Sequence, residues 1–129
     1  MSLEARHFSL DEAQSLLKEL LPYLSRLIEL KGILDVRHFD IYRHQFFGGM
    51  GPNGDGKFPP EVEEVVNILK RFAAQGVLVK SLDDGLIDFP YVRENGEEVY
   101  LCYKLGEDSI LYWHSPESGF AGRRSISQL

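Results

Sequence analysis

Four side chains from separate stretches of the chain, Asp88, Glu107, His114 and Arg123, are of the types that could share one piece of chemistry. Asp88 lies inside Leu86-Ile87-Asp88-Phe89-Pro90. A carboxylate in so apolar a run either caps neighbouring amides or is a functional group kept in a partly dry place. His114 follows Trp113 at the end of a hydrophobic stretch. An imidazole there is either packed and hydrogen-bonded or a ligand, and its available partners are Asp88, Glu107 and the tail arginines. Arg123 stands next to Arg124 in a tail of small residues, Gly119-Phe120-Ala121-Gly122. It either anchors that tail to the acidic strands or offers a planar fork to a carboxylate or phosphate. Two carboxylates and a neutral imidazole suit zinc, manganese or iron. Asp88, Glu107 and His114 are therefore the candidate ligands of a divalent metal, and with Arg123 holding an anion they are the candidate small-ligand site. No residue is assigned a catalytic role.

Other constellations read as architecture. Cys102, the single cysteine, lies in a hydrophobic run and reads as a buried inert thiol, with Lys104 on its face. Asp35 with His38, and Asp40 with His44, can each meet on a helix surface, but the two pairs point to different sides and read as solvated ion pairs. Asn53-Gly54-Asp55-Gly56 has the flavour of a calcium loop but ends at Val62 where the bidentate carboxylate is needed. No phosphate-binding loop, dinucleotide fingerprint or nucleophile elbow is present in the sequence.

The elements that would carry these residues divide into a helical half and a strand half. Ser9-Leu10-Asp11-Glu12 is a capping box. Leu10, Ala13, Leu17, Leu20, Leu24 and Leu27 then follow at helical spacing. The pattern predicts one helix from about Leu10 to about Phe46, or two collinear helices broken near Gly32, with a kink at Pro22. A glycine-rich linker over 48–58 separates it from a second helix over 59–76, opened by Pro60 and closed by Gly76. Beyond it come Val77-Leu78-Val79, Leu86 to Phe89 closed by Pro90, a two-residue hairpin turn at Asn95-Gly96 between Tyr91 to Arg93 and Glu98 to Leu105, and Ile110 to His114. Pairing Leu105 with Ile110 sets Tyr103 against Tyr112, Cys102 against Trp113 and Leu101 against His114. Both faces of that hairpin are apolar, so the helices cover one and the C-terminal tail or a second subunit covers the other. The expected fold is α+β: a long N-terminal helical hairpin (1–47 and 59–76) on a small, mainly antiparallel sheet with a tail (77–129), all in one domain over 1–129.

Composition bounds the partners. A net charge of −6 and a pI near 5.2 argue against a nucleic-acid binder, which needs clustered cations. No run is long and apolar enough for a membrane span, and a lone cysteine without a secretory leader points to the cytoplasm.

Four motifs in order resemble one known family. They are Gly85-Leu86-Ile87-Asp88-Phe89-Pro90, then Val99-Tyr100-Leu101-Cys102-Tyr103-Lys104-Leu105-Gly106-Glu107, then Trp113-His114, then Gly119-Phe120-Ala121-Gly122-Arg123. With the opening Phe8-Ser9-Leu10-Asp11-Glu12-Ala13 and Leu20-Leu21-Pro22, the chain resembles the bacterial domain-of-unknown-function family 2203. That family commonly carries tryptophan at the place of Tyr103 and glutamine at the place of Arg124. The resemblance implies no reaction, and it falls on the same residues, Asp88, Glu107, His114 and Arg123.

Two functional expectations follow. One is a small binding or assembly module acting as a homodimer through its protruding first helix. The other is a small-ligand or divalent-metal site, hydrolytic in its catalytic form, built from Asp88, Glu107, His114 and Arg123.

Overall fold

The computed structural model describes residues 6–44 and 58–129. Helix α1 runs over Leu10–Val36, α2 over Ile41–His44 and α3 over Pro60–Ala74, followed by strands β1 Leu78–Ser81, β2 Leu86–Val92, β3 Glu98–Lys104, β4 Tyr112–His114 and β5 Arg124–Ser125. The five strands form one antiparallel sheet in sequence order, and the fold is α+β as expected.

The capping box forms as read: Ser9 Oγ accepts the Glu12 amide at 3.1 Å, and Glu12 Oε1 accepts the Ser9 amide at 2.8 Å. Helix α1 then continues through both Pro22 and Gly32 and stops at Val36, well short of Phe46. His38 ends it. With φ of 60° it takes the left-handed conformation usual for glycine, so that its own amide reaches Asp35 O and the Phe39 amide reaches Leu34 O. These two bonds close the last turn. The helix is 27 residues long, about 40 Å. The expected continuation beyond residue 44, and the glycine-rich linker over 48–57, lie outside the described residues.

Helix α3 begins at Pro60 and ends with the same closure at Gly76, where φ is +82°. Arg26 grips Glu64 through two bonds of 2.7 and 2.8 Å, and Arg37 reaches Glu61 at 2.7 Å, so α3 lies antiparallel to α1. Together they bury Leu17, Leu20, Leu24, Leu27, Val65 and Phe72 against Ile87, Phe89, Val99, Leu101 and Trp113 on the inner face of the sheet.

The sheet differs from expectation in two respects. Pro90 does not close β2, which continues to Val92. The Pro90 carbonyl turns away from β3 to accept the Phe8 amide at 2.9 Å, so its missing N–H also faces away and no bond to β3 is lost. The second difference is a slip of one residue between β3 and β4. Leu101 pairs with Trp113, Cys102 with Tyr112, and Tyr100 with His114. Gln14 on α1 causes the slip by holding both backbone groups of Ile110: its Nε2 donates to Ile110 O at 3.0 Å, and its Oε1 accepts the Ile110 amide at 2.9 Å. Ile110 is thereby withdrawn from the ladder, and every side chain of β4 changes face. Trp113 enters the core and His114 moves to the outer face.

The tail returns along the edge of the sheet, where β5 pairs with β4 and Ser125 O accepts Trp113 Nε1–H at 3.0 Å, and Arg123 packs on the Tyr112 ring of the outer face. Of the two features from which a homodimer is expected, the first helix is shorter, and the tail reaches the outer face at Tyr112 while Leu78 and Val92 stay exposed on it.

Candidate functional site

Alternation along β2 and β3 places Ile87 and Phe89, Val99 and Leu101 inward, so Asp88 and Cys102 face outward and sit directly opposite each other. The slip in β4 adds His114 on the next strand. His114 Nε2 lies 2.9 Å from Asp88 Oδ2, and the two residues are 5% and 1% exposed. Asp88, Cys102 and His114 each offer a ligand atom, all within 4.8 Å of one another.

Hydrogen bonding fixes the imidazole. Its Nδ1 is 2.8 Å from the Ser115 carbonyl, which can only accept, so Nδ1 carries a hydrogen. Nε2 then faces Asp88 with one proton held between imidazole and carboxylate. The other Asp88 oxygen is less well served. Oδ1 is the one side-chain oxygen among the described residues that is buried without a hydrogen-bond partner. Burial first, and then the charge of Asp88, push the Cys102 thiol up to about 12. At neutral pH it is a protonated thiol and a poor nucleophile.

Glu107 and Arg123 form a second pair. Arg123 Nη1 donates to Oε2 at 2.7 Å and Nη2 to Oε1 at 2.8 Å, a two-point fork. Oε1 also accepts the Lys104 amide at 2.7 Å. Burial works against the Glu107 charge, yet Arg123 and the Lys104 amide hold its carboxyl below the usual range. The guanidinium lies 4.2 Å from the Tyr112 ring centre and 4.6 Å from that of Phe120.

The four residues singled out in the sequence are thus brought together two by two, Asp88 with His114 and Glu107 with Arg123. Cys102 joins the pairs: its side chain lies with the first, and its carbonyl accepts Arg123 Nη2 at 3.2 Å. Arg124 is elsewhere, against Trp113 with its guanidinium 5.2 Å from the ring. Sequence reasoning missed Cys102 as a site residue. Its signal was there in the alternation, since Cys102 must share a face with whatever lies opposite it on β2, but the pairing of β3 with β4 was read one residue out.

Beside the cluster, a groove of about 760 Å³ opens along β1, lined by Leu78, Lys80, Pro90, Glu98 and Tyr100 among others. The Tyr100 ring packs on the His114 imidazole with centroids 5.6 Å apart.

Residues 6–126 match the sequence pattern of an uncharacterised conserved protein family, DUF2203. The chain belongs to this family. Neither the curated proteins nor the solved structures contain a match to it. Membership in DUF2203 agrees with the motifs that carried the resemblance, and no helix among the described residues is long and apolar enough to cross a membrane.

Proposed function

We propose that this DUF2203 chain is a binding module for one divalent transition metal of the zinc class, held by Asp88, Cys102 and His114. The observation that carries the reading is the convergence of a buried carboxylate, thiol and imidazole from neighbouring strands, in which Asp88 Oδ1 has no donor of good geometry and only the weak Cys102 S–H beside its carboxylate. A buried acceptor so poorly partnered is costly, and a cation between the three groups would satisfy it. The donor set fits once the ion displaces the Cys102 proton and the one held between His114 and Asp88 to solvent: imidazole and thiolate favour zinc, and Asp88 adds the charge that balances it. The supporting contact fits as well, because a metal-bound imidazole commonly donates its other N–H to a backbone carbonyl, here that of Ser115. Tetrahedral zinc sets its ligand atoms roughly 3.3–3.6 Å apart, so the 2.9 Å contact of His114 with Asp88 would open by a few tenths of an ångström. Glu107, whose oxygens are taken by Arg123 and Lys104, stands outside this ligand set.

Native mass spectrometry of the wild-type chain with added zinc tests the reading. One ion per chain is expected, lost in Cys102→Ala and His114→Gln. At free zinc a hundredfold above Kd the wild type gains about 2.7 kcal/mol of stability, and the variants gain none. A wild type that takes up no zinc and shows no gain sinks the reading.

Assembly as a homodimer keeps one observation of its own. Leu78 and Val92 project from the outer face with 39% and 43% of their surface exposed, and a second copy of the chain would cover them. Light scattering should give a dimer that Val92→Lys weakens; a monomeric wild type at high micromolar concentration rules it out.

A further inference from the structure

We infer that the Arg123–Glu107 pair is a latch that holds the tail across the Asp88–Cys102–His114 site and sets how fast metal enters and leaves it. This rests on the metal reading above.

The three ligand residues are 0–5% exposed, so an ion reaches them only if something moves. On the β4 side the tail reaches two of them, Ser115 O at His114 Nδ1 and Arg123 Nη2 at the Cys102 carbonyl. From Ser115, whose carbonyl receives His114 Nδ1–H, the chain passes through a short helical turn at Phe120–Gly122 and returns as β5. Gly119 has φ of +61°, and a Cβ on Gly122 would lie 2.3 Å from that of Ser118, so this segment is folded tightly at two glycines. Besides the pairing of β5 with β4, one side chain ties this segment to the outer face of the sheet. Arg123 lies between Phe120 of the tail and Tyr112 of β4, the residue directly opposite Cys102, and it binds the Cys102 carbonyl and both oxygens of Glu107. Side chains of Arg123 and Glu107 are only 12% and 20% exposed, so water competes weakly for their bonds.

Opening the tail therefore requires the fork to break, and weakening the fork raises the open population. Loss of a charge-assisted pair of this kind corresponds to roughly a tenfold to hundredfold change in that population. Closure does not supply a metal ligand, so the number of ions bound at equilibrium stays at one.

Two rates test this on the full-length protein. The first is zinc release from the loaded chain into excess chelator. The second, independent of metal, is the reaction of apo Cys102, the single cysteine, with a soluble thiol reagent. Glu107→Gln and Arg123→Lys, which keep size or charge but not the two-point fork, should accelerate both rates tenfold or more. Arg124→Gln should leave both near wild type. Circular dichroism identifies a variant that fails to fold, and the remaining one then decides. Equal rates in the folded variants and wild type overturn the latch, above all if Tyr100→Ala accelerates them instead, since entry is then from the groove side. A wild type that binds no zinc removes the metal reading, and faster labelling of Cys102 in the latch variants still distinguishes that failure from failure of the latch.

Discussion

Among the described residues, charge is buried in two places and treated differently. In the first, Lys31 on α1 is 7% exposed, and its ammonium donates to both Asp35 oxygens at 2.8 Å and to Asp83 at 2.7 Å. Those two carboxylates are about half exposed, at 52% and 56%. In the second, Asp88 and His114 are both buried and share one hydrogen bond, while Oδ1 of Asp88 has no partner. The Lys31 cluster buries one charge and leaves its counter-charges in water, so it is complete as it stands. The Asp88 cluster has its charges and its thiol on the dry side, with a valence left over. A buried polar group that is fully paired fixes architecture, here by joining α1 to the β1–β2 turn. One left short of a partner is where a ligand gains most.

Breaking each cluster at its nitrogen should separate them most strongly. His114→Ala strands the Asp88 charge in a site that water does not reach, and is expected to cost about 3–5 kcal/mol in urea unfolding of the apo protein. Lys31→Met removes the cation from carboxylates that can hydrate, and should cost only about 1–2 kcal/mol. Equal costs would mean that the burial of the partners does not govern the response. Added zinc sharpens the contrast, because it should stabilise Lys31→Met as it does the wild type and leave His114→Ala unchanged.

The sequence did not disclose the Lys31 side of this comparison, since it suggests His38 as the partner of Asp35, which the structure gives to Lys31, and it disclosed the Asp88 side by half. Local signals read well. The Ser9–Glu12 capping box and the Pro60 start and Gly76 stop of α3 depend on residues a few positions apart and stand as expected, whereas the Asn95-Gly96 turn closes one residue wider than the two-residue turn expected: the Arg93 amide reaches Glu97 O, the Gly96 amide reaches Arg93 O, and Gly96 takes φ of +88°. The end of α1 departs from expectation too, since His38 takes a backbone conformation that a reader reserves for glycine. Asp88 stood out as a carboxylate in an apolar run, and His114 named it as a partner. Cys102 escaped because the register of β4 is set by Gln14, which is 96 residues from Ile110 in sequence. No pattern within the hairpin records that contact. A slip of one residue moved Trp113 and His114 to opposite faces, and with His114 went the visible composition of the site.

Alkaline pH tells the clusters apart by a second route. An unfolded thiol ionises near pH 9, whereas the folded Cys102 keeps its proton to about 12. Across that interval the folded state binds more protons, so stability falls as pH rises, by at most about 1.4 kcal/mol per pH unit. Lys31 behaves later. Burial opposes its charge, but the hydrogen bonds to Asp35 and Asp83 prevail and raise it above 10.5, so its contribution is intact below that value and lost as pH climbs through the folded one. Between pH 9 and 10, before Tyr42, Tyr100 and Tyr103 add losses of the same sign, the slope belongs to the thiol. In the metal-free protein, Cys102→Ala should flatten it and Lys31→Met should not. A slope that survives in Cys102→Ala would show that burial of the thiol is not its source.

The smallest effects should come from the exposed carboxylates of the Lys31 cluster. Asp35→Asn and Asp83→Asn each keep one oxygen for the ammonium, and solvent already screens the charge removed, so each should cost less than about 1 kcal/mol. Asp83 should be the costlier of the two. Its Oδ2 also accepts the Tyr42 hydroxyl at 3.3 Å, and that hydroxyl accepts the Leu82 amide at 3.2 Å, so the β1–β2 turn is tied to α2 through it. Asp35 sits one turn from Lys31 on the same helix and ties nothing remote. A thermal-shift comparison of the two variants reads this directly. If Asp83→Asn fell as far as His114→Ala, the Lys31 cluster would be as closed to water as the Asp88 cluster. The difference between them would then rest on the unpartnered Asp88 oxygen alone, and Asp88→Asn with its zinc uptake would become the deciding variant.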